Sequence, residues 1–152
     1  MTRGVVLAVC LGPGGIPKHP VEEALVEQLG LVGDRHRFQR HGGADRAVCL
    51  FAIEDYRTLK ADGVPCDAPG TFGENLLTAG LDLAALRPGD RLLVGEELLL
   101  EIHDVRAPCG TLKKLDPRFP ELMVGRSGFV CRVVRGGLVR AGLPIALAAA
   151  SD

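Results

Sequence analysis

Short apolar segments, divided at close intervals by glycine and proline, are the feature that most restricts the fold of this chain. Its 152 residues include 20 glycines and 10 prolines. Residues 4–11 and 46–53 are nearly continuous apolar runs, and residues 91–102 have the pattern of a hairpin that turns at Gly95 and Glu96. Many short strands joined by Gly/Pro turns predict a mainly β fold, either a barrel or a sandwich, with small helices packed outside it.

Residues 54–63 have the one clear helix pattern, in which helix-forming residues are followed by a glycine stop. Residues 21–31 are ambiguous, because they combine helical propensity with only a partial helical period. No internal repeat, low-complexity linker or shift in composition divides the chain. We therefore expect residues 1–152 to form a single domain that is large enough to bury a core.

A cysteine in a predicted turn is the strongest candidate for chemistry. Residues 97–102 predict a strand that leads toward Pro108, which lacks a backbone donor and ends the ladder. Cys109 then lies just beyond a strand end, with Gly110 behind it and Arg106 three residues before it. A nearby guanidinium favours the thiolate, which is the nucleophilic and metal-binding form. The alternative is a small buried apolar residue, as most free cysteines are.

Arginines occur at several predicted strand ends and beside glycine loops. If these ends meet at one rim of a barrel, the arginines form a binding ring for an oxyanion or phosphate around Cys109. A solvated rim, in which the arginines pair with nearby carboxylates, explains the pattern equally well. The arginines are Arg35, Arg46, Arg106 and Arg126, and the carboxylates are Asp34, Asp45, Glu74 and Asp90.

Three other patterns are weaker. The glycine-rich loop 12–15 with Lys18 lacks the spacing of a P-loop, so it is either a phosphate contact or a simple turn. The histidines of residues 33–45 do not have a standard ligand spacing, and the neighbouring arginines repel a divalent cation. A cysteine hydrolase would need a histidine and an Asn or Asp near the thiol. Its candidates here are His41, His103 and Asn75.

The cysteine count and the charge exclude several classes of protein. Five cysteines without a Cys-x-x-Cys pair argue against a disulfide scaffold and a structural zinc site. We expect Cys10, Cys49 and Cys131 in the core and Cys66 exposed in a loop. A net charge of -1 does not support a nucleic-acid partner. With no membrane span or secretory signal in the sequence, we expect a cytoplasmic protein without a membrane partner.

Seven segments, in this order along the chain, resemble the pattern of MOSC domains, the molybdenum-cofactor sulfurase C-terminal domains, in their small stand-alone form. Each segment is short, and the specificity comes from the ordered set with Pro108 and Cys109 near its end. The resemblance covers nearly the whole chain. The segments are residues 14–21, 30–35, 41–48, 70–76, 89–95, 106–109 and 126–129.

The resemblance implies a closed β-barrel of the pyruvate-kinase-insert type with a few short helices, which favours strands over residues 21–26. It also implies that Cys109 either ligates molybdenum or carries persulfide sulfur. A soft thiolate suits both roles, and basic groups suit the phosphate of the molybdenum cofactor, molybdopterin. The resemblance points to these cofactor-binding residues: Arg35, His41, Arg46, Asn75, Arg106 and Arg126.

Members of this family differ in activity. Some reduce N-hydroxylated bases and amidoximes with electrons from partner reductases, and others deliver sulfur. The pyridoxal-phosphate domain of the large sulfurases is absent here, so we expect no pyridoxal-phosphate chemistry. No iron–sulfur or flavin motif is present, so a reductase role requires an external electron donor.

Three hypotheses follow for this chain. The first is a molybdenum-cofactor oxidoreductase, or a subunit of one, that acts on small-molecule substrates with Cys109 as the metal ligand. The second is a sulfur carrier with a persulfide on Cys109, supplied by a cysteine desulfurase. The third is a non-catalytic binding module in which Cys109 is buried and inert. The resemblance favours the first modestly over the second.

Overall fold

The computed structural model describes residues 3–35, 43–107, 110–119 and 121–148, and its strands close into a barrel. In chain order the strands are β1 (Arg3–Leu11), β2 (His19–Val21), β3 (Glu23–Glu27), β4 (Gly30–Leu31), β5 (Val48–Ala52), β6 (Leu76–Ala79), β7 (Arg91–Val94), β8 (Leu98–Val105), β9 (Phe129–Arg135), β10 (Gly137–Arg140) and β11 (Pro144–Leu147). Strands β1, β11, β7, β8, β9, β5 and β6 pair in that order, and β6 pairs again with β1. This closed ring confirms the predicted mainly β barrel.

A second, three-stranded sheet is formed by β10, β3 and β4. It contains most of the segment whose pattern was ambiguous. In β3 every second side chain is buried, with Ala24 and Val26 pointing inward and Glu23, Leu25 and Glu27 outward. Burial with a period of two is the pattern of a half-buried strand, so packing overrides the helical propensity of these residues.

The segment that connects β5 to β6 includes a helix and a long return to the barrel. These two strands are parallel, whereas the other strand pairs among the described residues are antiparallel. A parallel pair requires a crossover, and the helix α1 (Ile53–Ala61) supplies it, confirming the predicted helix. The chain then returns through residues 62–75 to the start of β6. No helix in the described ranges is both long and apolar enough to cross a membrane.

The core has an aliphatic part inside the barrel and an aromatic part outside it, beneath α1. In the outer part, Phe51 of β5 stacks on Phe72 with ring centroids 5.0 Å apart. Tyr56 of α1 meets Phe72 edge-on at 4.8 Å, and Phe119 does so at 6.0 Å. Aromatic residues are only 4% of the chain, and this cluster holds residues 62–75 against the barrel wall.

Two of the expectations for the cysteines are corrected by this arrangement. Cys10 and Cys131 are fully buried, as predicted. Cys66 is also buried rather than exposed, because residues 62–75 fold back under α1 and its thiol donates to the Tyr56 carbonyl at 3.5 Å. Cys49 is only half-buried and belongs to neither part of the core.

We expect Gly128 to be essential for the pairing of β5 with β9. Its φ is +78°, and a Cβ there would lie 2.0 Å from the Leu50 carbonyl oxygen. Gly89 has a similar φ of +93° with nothing within 4 Å, so it is a matched control. We expect Gly128→Ala to lower the free energy of unfolding by about 2 kcal/mol or more beyond the loss in Gly89→Ala, measured by urea denaturation. Equal losses would show that no such backbone contact exists.

Candidate functional site

A buried ion pair lies where the loop after β1 meets the loop after β4. Lys18 Nζ donates to Asp34 Oδ2 at 2.6 Å, and the two side chains are only 5% and 3% exposed. The amide of Asn75 donates to the same oxygen at 2.9 Å, and the backbone N–H of Gly12 donates to Oδ1 at 2.9 Å. Both carboxylate oxygens therefore have partners, which is the condition under which a buried charge pair is tolerated.

Asn75 joins two strands of the barrel through both its backbone and its side chain. Its side-chain Oδ1 accepts from the Cys49 N–H at 3.0 Å, and its Nδ2 donates to the Cys10 carbonyl at 3.2 Å. Its backbone accepts from the Cys10 N–H at 2.7 Å and donates to the Cys49 carbonyl at 2.9 Å. Asn75 thus extends the sheet between β1 and β5 just before β6 begins, and its position fixes that of Cys49.

Glu74, the neighbour of Asn75, is fully buried on the side of the aromatic cluster. Its Oε2 accepts from the Tyr56 hydroxyl at 2.5 Å and from the Gly70 N–H at 3.0 Å. Burial and the nearby carboxylate raise the pKa of Tyr56, so the tyrosine remains a hydrogen-bond donor. The Gly70 carbonyl in turn accepts from the Lys18 N–H at 2.8 Å, which links this contact to the ion pair.

Two arginines close to this network have buried donors that are not used. Arg106 donates from Nη2 to the Phe72 carbonyl at 2.5 Å, but its buried Nη1 has no partner among the described residues. The same holds for the buried Nε of Arg46. Buried N–H donors without acceptors are rare in native proteins and call for an explanation such as a missing anionic partner.

The thiol of Cys49 connects these groups in space. Burial raises the pKa of Cys49 and the charge of Glu74 adds to that rise, whereas the charges of Arg106, Lys18 and Arg46 oppose it. Three cationic side chains therefore act on one half-buried sulfur atom next to Asn75. The site therefore combines the cations Lys18, Arg46 and Arg106 with the carboxylates Asp34 and Glu74 around Asn75 and Cys49, and we call it the cationic site.

A cavity of about 310 Å³ opens beside Arg46. It is lined on one side by Asp45 and Arg46 and on the other by His103, Val130 and Ala107, the last of which is two residues before Cys109. Asp45 is paired with Arg132, whose Nε lies 2.9 Å from Oδ1. The unused donor of Arg46 thus belongs to a residue that faces an open volume.

The structure brings together three of the residues chosen from the sequence: Arg46, Asn75 and Arg106. Arg35 is adjacent through its backbone, whose N–H donates to the Gly12 carbonyl at 2.9 Å, but its side chain is exposed. Arg126 makes its hydrogen bonds elsewhere, with Leu122, with Thr58 of α1 and with Asp62 just after α1, whose Oδ2 lies 2.7 Å from Nη2. Cys109 and His41 lie outside the described residues.

The residues that support the site have no clear signal in the sequence. The sequence pattern indicates Lys18 only as part of a weak phosphate loop and Asp34 only as a partner for a surface arginine. Lys18 and Asp34 are 16 residues apart in the sequence and lie in different loops. No local sequence pattern therefore indicates that they pair. Cys49 was assigned to the core because it lies within an apolar run, although strand alternation places it opposite the buried Val48 and Leu50.

Comparisons with known proteins agree on one family. The sequence model described as "MOSC domain" matches residues 37–146. The chain is 34% identical over 148 residues to protein YiiM of Escherichia coli strain K12, covering 89% of this chain and 64% of that protein. It is 32% identical over 128 residues to a protein named "Reductase" from Gibberella moniliformis, covering 78% of this chain and 22% of that protein.

Solved structures show the same relationship. The crystal structure of YiiM from Geobacillus stearothermophilus superimposes with a TM-score of 0.80 at 27% identity, over 96% of this chain and 75% of that chain. That of YiiM from Escherichia coli gives 0.76 at 30% identity, over 98% and 71%. The chain spans less than two thirds of the length of the two curated relatives described above.

Asp34→Asn should destabilise the protein far more than an equivalent change at the surface. It removes the counter-charge of buried Lys18, and breaking one side of a buried pair costs about 3 kcal/mol or more. The control is Asp67→Asn, because Asp67 pairs with Lys60 at side-chain exposures of 76% and 63%, and exposed pairs contribute about 1 kcal/mol or less. Urea denaturation of both variants measures the difference. Similar small losses would show that Lys18 is not buried against Asp34.

Proposed function

This chain belongs to the MOSC domain family, and on that premise we propose that it binds the molybdenum cofactor in the cationic site around Asn75. In this proposal Cys109 is the molybdenum ligand, and the protein is an oxidoreductase, or a subunit of one, that acts on N-hydroxylated or similar small substrates. An external donor protein supplies the electrons.

The observation that carries the proposal is the pair of buried, unused donors on Arg46 and Arg106. A guanidinium group matches the geometry of a phosphate and binds it through two parallel hydrogen bonds. The cofactor is anionic through its phosphate, so it supplies the acceptors that the two arginines lack. The residues present therefore fit the group.

The side chains of this chain have separable roles in the proposed site. Arg106 is held in position by the Phe72 carbonyl, which leaves Nη1 free for an anion. Asp34 neutralises the charge of Lys18, so the main contribution of Lys18 is to hold the loops after β1 and β4 together. Asn75 fixes the distance between β1 and β5 beneath the site. The bound cofactor supplies two-electron redox chemistry at a metal.

A sulfur-carrier function is the second candidate, and the state of the other cysteines favours it. Burial raises the pKa of Cys10 to about 12, and it also raises the pKa of Cys49, Cys66 and Cys131. Thiols with a raised pKa are weak nucleophiles near neutral pH. Persulfide sulfur supplied by a cysteine desulfurase would then be carried only by Cys109.

Metal analysis of protein expressed in a host that makes the cofactor tests the first candidate. We expect molybdenum in the wild type, its loss in Cys109→Ala, and a reduced content of cofactor in Arg106→Gln, because one anion contact is removed. Arg140→Gln is the control, since Arg140 is exposed on β10 and makes none of these hydrogen bonds. Unchanged loading in both Cys109→Ala and Arg106→Gln would contradict the proposal.

Alkylation of the native protein with iodoacetamide at neutral pH tests whether Cys109 is the reactive thiol. We expect Cys109 to be modified about tenfold faster than the four cysteines with raised pKa values, as measured by peptide mass spectrometry. Incubation with a cysteine desulfurase and cysteine should then add one thiol-reducible sulfur at Cys109 if the protein is a sulfur carrier. Slow modification of Cys109 would favour the binding module without chemistry.

A further inference from the structure

Arg106 is held at two points, and one of them belongs to the segment between α1 and β6. Its backbone N–H donates to the Gly128 carbonyl at 3.0 Å, just beyond the end of β8. At the other end of the side chain, Nη2 donates to the Phe72 carbonyl at 2.5 Å. Because a guanidinium is planar, this second contact also fixes the direction of Nη1, the buried donor without a partner among the described residues. The orientation of the Phe72 carbonyl therefore decides where that donor points.

The ring of Phe72 is fully buried in the outer aromatic cluster. It stacks on Phe51 with centroids 5.0 Å apart and meets Tyr56 and Phe119 edge-on. Apolar packing is largely non-directional, whereas a hydrogen bond constrains the direction of the groups that it joins. The cluster therefore holds the ring in place, but a directional contact is needed to orient the peptide that carries the carbonyl.

The Tyr56 hydroxyl supplies that directional contact. It donates to Glu74 Oε2 at 2.5 Å, and the same oxygen accepts from the Gly70 N–H at 3.0 Å. The Gly73 N–H donates to the Gly70 carbonyl at 3.0 Å, which closes a turn around Phe72. Burial and Glu74 raise the pKa of Tyr56, and a hydrogen bond from the backbone of Phe72 opposes that rise. The hydroxyl thus contacts both the end of the turn and the peptide of Phe72.

We propose that Tyr56 is a positioning residue for anion binding, because its hydroxyl orients the Phe72 peptide and the Phe72 carbonyl orients the free donor of Arg106. This inference rests on the proposed function, in which the cationic site binds an anion. Tyr56 is only 4% exposed and does not line the cavity beside Arg46. It therefore acts through Arg106 and not by touching the ligand.

A purely structural role for Tyr56 predicts a different result. Loss of the hydroxyl would then lower the free energy of unfolding, but it would leave the orientation of Arg106 unchanged in the folded protein. Tyr56→Phe separates the two roles, because it removes the hydroxyl and keeps the ring in the cluster. Leu59→Val is the matched control. Leu59 is fully buried in the same part of the core, and its side chain takes no part in these hydrogen bonds.

Arginine side-chain ¹H–¹⁵N spectra of the whole chain without any anion give the first test. The measured quantity is the rate at which Nη1 and Nη2 of Arg106 exchange places by rotation about the Cζ–Nε bond. We expect this exchange to be about fivefold faster in Tyr56→Phe than in the wild type, because the contact with the Phe72 carbonyl is weakened. Leu59→Val should exchange at the wild-type rate. Equal rates in Tyr56→Phe and the wild type would overturn the proposal.

Calorimetric titration with inorganic pyrophosphate gives the second test. Tyr56→Phe should weaken binding about fivefold, and Leu59→Val should bind as the wild type does. In an Arg106→Gln background, the additional change Tyr56→Phe should have no further effect, since Tyr56 acts through the guanidinium that is already absent. The same fivefold loss in both backgrounds would overturn the proposal.

Glu74→Gln distinguishes hydrogen bonding from charge. The amide oxygen of glutamine can still accept from Tyr56 and Gly70, and one negative charge near the anion is removed. Pyrophosphate should therefore bind to Glu74→Gln at least as tightly as to the wild type, and weaker binding would overturn the proposal. A wild-type chain that does not bind pyrophosphate would contradict the proposed function itself. The exchange rate of Arg106 without anion would then still decide whether Tyr56 orients this side chain.

Discussion

The amide of Asn75 is the contact on which the candidate site depends. It bonds to β1, to β5 and to the buried carboxylate of Asp34, so one side chain sets the spacing of two strands and the place of the ion pair. Its neighbour Glu74 is tied to Tyr56 and to the loop at Gly70. The segment between α1 and β6 therefore connects the outer aromatic cluster with the cationic site.

The architecture explains why charge is concentrated outside the barrel. The inside is filled by aliphatic side chains and offers no partner for a polar group. Strand alternation places Cys49 on the outer face, opposite the buried Val48 and Leu50, and the loops after β1 and β4 supply Lys18 and Asp34. The donors of Arg46 and Arg106 are buried without a partner among the described residues, which is expected of a site that binds an anion.

Much of the fold could be predicted from the sequence, because glycine and proline mark the turns and the apolar runs mark the strands. The helix after β5, the hairpin at Gly95 and the strand of residues 21–26 were all predicted, the last from family resemblance rather than from periodicity. The supporting network could not be predicted. Lys18 and Asp34 meet through loop closure, and burial of Glu74 depends on an aromatic cluster assembled from distant segments. Such contacts are set by tertiary packing and leave no periodic signal.

Anion binding at the candidate site requires that Arg46 and Arg106 keep donors free. Arginine side-chain ¹H–¹⁵N spectra during a titration with inorganic pyrophosphate test it most directly. We expect saturable shifts of the Arg46 Nε–H and the Arg106 guanidinium resonances, whereas the resonances of Arg118 and Arg126, which already pair with Asp116 and Asp62, should not move. Shifts of similar size at all four arginines, or none at Arg46 and Arg106, would contradict the claim.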